Sequence, residues 1–265
     1  MMRLSWLALL ALGLGVLQAQ PVVTVAPTDE TMPAGVTIVS PSDAAFEPLI
    51  GSVLHSQVSF FRPILPYSII VRNQTPEPIR AVVILVAVVN ADGRIANTQQ
   101  RFDVQFPLTS GNFPAVPSGG AAFFAADRRY SDIAARMHGD RLPRYFNAPA
   151  PDEIATYDSA RSITFTLGSV LFADGRLAGA DTDHRFEDYT SQLAAEASMG
   201  KAVLAYQGDS LDDLKRFLAT VSGSGDRWPK RLAREYSAIL DREGADSLFN
   251  LVKRSLPPDN LSVHR

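Results

Sequence analysis

IRAVVILVAVV, residues Ile79 to Val89, decides the fold. In an extended chain Ala81, Val83, Leu85, Ala87 and Val89 point one way, and Val82, Ile84, Val86 and Val88 point the other. Both faces are apolar, so both must be buried. A strand of an antiparallel sheet normally turns one face to water, so this one needs a second cover besides a partner sheet. The run is far shorter than the roughly 20 apolar residues that span a bilayer as a helix.

Outward from this stretch, β-branched runs alternate with Pro, Gly and Asn: VTIV at 36–39, QVSFF at 57–61, YSIIVRN at 67–73 and RFDVQF at 101–106. GGAAFFAAD at 119–127 and RSITFTLGSVLFADG at 161–175 continue the pattern, which is that of successive strands. Between them Ser131 is placed to cap a short helix through Met137. The stretch YSIIVRNQTPEPIRAVVILVAVVNADGR, residues 67–94, resembles the strand, Asn-containing loop, strand and Asp-Gly turn of bacterial extracytoplasmic β-sandwiches of immunoglobulin-like or fibronectin-III-like type. That resemblance implies a sandwich used for contact or support, although the Cys and Trp marks of antibody domains are absent.

VVNADGRIA at 88–96 returns as VLFADGRLA at 170–178. In both copies Asp-Gly separates two apolar runs, and Gly supplies the positive φ of a hairpin tip. Two hairpins or a duplicated domain would each produce the echo; upstream the copies share only apolar character, which favours reused turn chemistry.

From Phe186 the apolar period becomes helical. Phe186, Tyr189, Leu193 and Ala197 share one face, and Leu211, Leu214, Phe217, Leu218 and Val221 a second. Trp228, Leu232, Tyr236, Ile239 and Leu240 form a third stripe, and Leu248, Phe249, Leu251 and Val252 a short fourth. The fold class expected is therefore α+β: an immunoglobulin-like antiparallel β-sandwich at residues 36–182, followed by a bundle of three or four helices at 183–265 that packs on it.

The first 20 residues hold Arg3, an uncharged apolar run from Leu4 to Val16, and Ala19. This is the layout of a secretory signal peptide, residues 1–19, with a flexible Pro-containing lead-in at 20–35. A periplasmic or secreted location follows as an expectation. The chain has no cysteine, hence no disulfide framework, and its stability must come from an ordinary core. With 25 basic and 28 acidic residues interspersed, it lacks the basic stripe of a nucleic-acid binder, and no transmembrane segment is expected after the leader.

Three stretches resemble chemistry. Gly208-Asp209-Ser210-Leu211 is similar to the nucleophile motif of the GDSL lipases and esterases, which would make Ser210 a nucleophile. Only 54 residues follow Leu211, and that family's catalytic His has its nearest counterpart in Asp259 to His264, at the terminus. A helix start explains the motif better, with Ser210 or Asp209 as cap and Asp213 three residues beyond Ser210. Asp181, Asp183 and Glu187 offer oxygen ligands for a metal, but the EF-hand order is missing and caps explain them as well. The connection from 139 to 159 carries Tyr145, Phe146 and Tyr157, and a long loop in a compact domain is a candidate binding surface. No cofactor motif is present. The function expected is a non-catalytic binding or scaffolding role at the bacterial cell envelope, toward an envelope protein or polymer, with a serine hydrolase as the alternative.

Overall fold

A computed structural model describes residues 21–103, 116–137, 151–180, 185–256 and 262–264. The strands are β1 (Val22–Val25), β2 (Val36–Val39), β3 (Ser68–Asn73), β4 (Ile79–Val89), β5 (Ile95–Asp103), β6 (Ala121–Ala125), β7 (Ser162–Phe172) and β8 (Leu177–Gly179). The helices are α1 (Phe46–Leu54), α2 (Val58–Phe61), α3 (Arg128–Ala135), α4 (Pro151–Asp158), α5 (Arg185–Leu204), α6 (Leu211–Ser222), α7 (Arg227–Glu243) and α8 (Ala245–Ser255). The chain is thus mixed α+β. One sheet runs β1-β7-β4-β5 with β8 also on β7, and a smaller one runs β2-β3-β6.

The doubly apolar strand β4 lies between β5 and β7, antiparallel to both. Val82, Ile84, Val86 and Val88 enter a central apolar cluster that also takes Ile69, Ile70 and Val71 of β3 and Phe123 and Phe124 of β6. Both sheets therefore feed one core, where each fully buried Val, Ile or Phe contributes about 1.5–3 kcal/mol. On the opposite face the helical cover reaches the start of the strand: Ala81 is packed with Leu171, Leu177 and the α5 residues Tyr189 and Leu193. Farther along, Leu85, Ala87 and Val89 are only half-buried.

Two bulges adjust which side chains meet which cover. Ile79 and Val82 both belong to the central cluster although an odd spacing separates them, and the register against β7 shifts between Ile79 and Ala81. The extra residue is Arg80, which is thereby turned with Ala81 toward α5. Gly168 plays the same part in β7, so that Leu167 and Val170 both face the core.

The two echoing stretches are hairpin tips of one geometry. Gly93 N–H donates to Asn90 O and Asn90 N–H to Arg94 O; Gly175 N–H donates to Phe172 O and Phe172 N–H to Arg176 O. Gly93 and Gly175 have φ of +84° and +91°, and Asp92 and Asp174 each accept the N–H two residues on at 2.9 Å. These are three-residue loops with glycine in the left-handed position, a geometry that needs Gly at its third residue.

Four readings need correction. The lead-in at 20–35 holds β1, paired in parallel with Ser162–Phe165 of β7, and Thr31 Oγ1 accepts the Gly179 N–H. QVSFF is not a strand: it ends a helical segment whose Phe46, Ile50, Leu54 and Phe61 are buried, the first three at four-residue spacing. Ser131 lies inside α3, and Asp127 is the cap, its carboxylate accepting the Arg129 N–H. Lastly, the 139–159 connection includes α4.

α5 continues past the sheet into a second core, where Ala195, Met199 and Val203 join Leu214 and Leu218 of α6, Trp228, Leu232 and Tyr236 of α7, and Leu248 and Val252 of α8. The stripes of α6, α7 and α8 supply their share of these residues, whereas the stripe read for α5 holds Tyr189 and Leu193, which pack on the sheet, and misses Ala195, Met199 and Val203. Among the described residues, no helix is long and apolar enough to cross a membrane.

Candidate functional surface

The end of the body formed by α3 and α4 gathers aromatic and charged side chains around the 139–159 connection singled out in the sequence. Asp127, at φ −83° and ψ 112°, caps α3 and is buried. Its two oxygens take the Arg129 side chain at Nε (3.0 Å) and Nη2 (2.6 Å), and Arg129 Nη1 reaches Glu153 Oε2 of α4 at 2.6 Å. One guanidinium therefore braces two helices, and hydrogen bonding to Asp127 holds its proton more tightly than usual.

Below this brace, α4 meets the turn before β3. The Tyr67 hydroxyl donates to Asp158, and the ring of Tyr157 stacks on that of Tyr67 with centroids 6.0 Å apart. Tyr130 packs against Phe60 and Phe61 at 5.9 and 5.8 Å, and Phe61 meets Phe123 edge-on at 5.2 Å. Burial raises the Tyr67 and Tyr130 phenols above their ordinary value and pushes Tyr157 up to about 12, with the negative charge of Asp127 adding to the rise for Tyr130 and Tyr157. These phenols are neutral donors across the physiological range. At this surface Phe60 and Tyr157 are half-buried and Arg129, Glu153 and Asp158 are exposed, whereas Phe61, Tyr67, Phe123 and Tyr130 are buried.

Of the sequence-chosen binding residues, Tyr157 is at this surface; Tyr145 and Phe146 lie outside the described residues. Tyr67, Arg129, Tyr130 and Asp158 were missed. Asp127 before two arginines is a readable cap signal, but nothing in the sequence joins Tyr67 to Asp158 across 91 positions.

Behind α3 a buried polar link ties the two sheets. Gln100 of β5 donates through Nε2 to Ala125 O (2.8 Å) and Ala126 O (3.2 Å), while Ser131 Oγ accepts the Ala125 N–H (2.8 Å) and donates to Gln100 Oε1 (3.1 Å). The buried polar groups of Gln100 and Ser131 thus satisfy one another, as buried groups must.

The GDSL stretch is a helix start. Gly208 has φ +96°, and Ser210 is the N-cap of α6, its carbonyl accepting from Asp213 and Leu214 at 3.1 and 3.3 Å. Its hydroxyl makes no capping bond, so the expected capping box is not formed. Ser210 opens a helix of the second core, whereas Val263, beside His264, is buried against the sheet, and the His264 backbone bonds Gly175 and Leu177. The motif thus opens a helix of one apolar cluster, and the residue before the terminal histidine is buried in another.

Asp181 and Asp183 lie outside the described residues; Glu187 is exposed in the first turn of α5. Its neighbour Asp188 accepts from Arg227 of α7 at 3.0 Å, a brace between helices. Among the described residues no group of three or more His, Asp or Glu side chains is placed to hold a metal.

No family model matches this chain, and no curated protein or solved structure is significantly similar to it.

Proposed function

We propose that this chain is an exported, non-catalytic binding or scaffolding protein of the bacterial cell envelope, in which an immunoglobulin-like β-sandwich presents a recognition surface at α3 and α4. The observation that carries the reading is the Tyr157 ring, stacked on Tyr67 and flanked by the Arg129–Glu153 brace. Order of this kind lowers the entropy lost when a partner settles on the surface. The sandwich reading is supported by two sheets sharing one core and by Asn73, whose side chain organises the loop between β3 and β4. Its Nδ2 donates to Glu77 O at 2.8 Å and to Pro117 O at 3.1 Å, and its Oδ1 accepts from Thr75. Export is supported by the leader-like first 19 residues.

The test is co-sedimentation of the purified chain with isolated envelope fragments, comparing wild type with Tyr157→Ala and with Ser210→Ala. Tyr157→Ala is expected to lower binding at least five-fold, with Ser210→Ala neutral. Equal binding by wild type and Tyr157→Ala removes the surface from the reading. Hydrolysis of short esters by the wild type, lost in Ser210→Ala, replaces the reading with a serine hydrolase.

A further inference from the structure

We propose that the helical unit undocks from the sheet as a body, while the central core and the helical core both stay intact. This goes beyond the binding reading and does not depend on it. All the buried apolar side chains of the described residues but Val83 fall into three separate groups. Among the described residues, 32 form the central cluster, all between Met32 and Ala178, and 14 form the helical cluster, all between Ala195 and Val252. Six, Ala81, Leu171, Leu177, Tyr189, Leu193 and Val263, form the seam where α5 meets the sheet, with Phe186 half-buried against them.

Hydrophobic stabilisation follows the apolar area removed from water, so the seam holds less strongly than either core. Its polar contacts include Arg80 Nη2 to Glu196 Oε2 at 3.1 Å, with Gln192 Nε2 donating to Glu196 Oε1 at 3.0 Å. The attraction of a buried ion pair is largely offset by desolvation, and both ions regain water when the seam opens. Native proteins open along their weakest internal surfaces without unfolding elsewhere. α5 carries the motion. Tyr189 and Leu193 sit in the seam and Met199 and Val203 in the helical core, and the 20-residue helix, roughly 30 Å long, moves as one rod. Val263 stays with the sheet, because His264 N–H donates to Gly175 O and Leu177 N–H to His264 O.

The chain has no cysteine, so a single introduced thiol reports opening at its own position. Four variants are compared under native conditions: Leu177→Cys and Leu193→Cys on the two sides of the seam, Leu167→Cys in the central core, and Leu218→Cys in the helical core. Each labelling rate with a small disulfide reagent is divided by that variant's rate in denaturant. Both seam positions are expected to label at least ten-fold faster than either core position. Adding Glu196→Gln is expected to raise the two seam rates and leave the core rates unchanged. A seam rate less than ten-fold above either core rate overturns the proposal, as does a Glu196→Gln effect equal at all four positions.

Discussion

Replacing Gly179 by alanine isolates the cost of a backbone crowd at the edge of the larger sheet. Gly179 has φ +91°, and a Cβ there would lie 2.4 Å from Gly168 O, 2.7 Å from Met32 Cε and 3.0 Å from Ser169 Cα. The Met32 methyl can swing aside. Gly168 O and Ser169 Cα cannot, because they belong to the bulge of β7 on which β8 is registered through the Ser169–Gly179 pair. Relief requires β8 to lift from β7, which also strains the Gly179 N–H bond to Thr31 Oγ1 at 3.0 Å. Gly93 is the matched control, with φ +84° and nothing within 4 Å of its ideal Cβ. Both substitutions meet the backbone cost of a left-handed alanine, about 1–3 kcal/mol. Only Gly179→Ala adds overpacking, a further ~1–3 kcal/mol. In urea unfolding followed by far-ultraviolet circular dichroism, Gly179→Ala should therefore lose about 1–3 kcal/mol more than Gly93→Ala. Losses equal within ~0.5 kcal/mol would refute the reasoning, since β8 would then be free to yield.

Two further outcomes follow from the buried polar groups. Ser131→Ala leaves the Ala125 N–H and Gln100 Oε1 without the Ser131 hydroxyl, and stability should fall by ~1–3 kcal/mol in the same unfolding assay; a loss under 0.5 kcal/mol would show that the link between the sheets is idle. Tyr157 holds its proton in the folded state up to about pH 12, and Tyr67, Tyr130 and Tyr236 are raised by burial in the same direction. The stability this supplies is complete below the ordinary tyrosine value of 10 and is lost as pH climbs from there through about 12, because the unfolded chain gives up its protons first. Ultraviolet titration of the folded chain should show phenolate formation at these four tyrosines delayed beyond pH 10, and a single wave at the ordinary value would contradict the burial argument.

Legibility in the sequence followed the range of the interactions involved. β4 was readable because eleven residues apolar on both faces admit few placements, and α5 to α8 because their stripes recur at a period that strands do not share. Both hairpin tips were readable from local Asp-Gly chemistry, although the loops are a residue longer than the tightest form. QVSFF misled because three apolar residues in five fit a strand as well as a helix; the wider spacing of Phe46, Ile50 and Leu54 holds the signal that settles it. β1 was hidden by its shortness, since four residues flanked by Pro21 and Pro27 carry too little pattern to outweigh a linker composition. At the candidate surface only Tyr157 was picked out among the described residues, because Tyr67 and Asp158 meet through tertiary packing alone.

The parallel pairing of β1 with β7 bears on the order in which this chain takes shape. Val22 and Ser162 are register partners separated by 140 residues, while β4 and β5 are joined by a three-residue loop. A chain made or delivered from its amino end therefore presents β1 first and must hold it unpaired until nearly two thirds of the sequence has arrived. Contacts of such separation form late, after local hairpins have already lowered the entropy of the intervening chain. β1 is in this sense a closing piece, and the interval before it docks is when the β7 edge is open to pairing with the wrong strand.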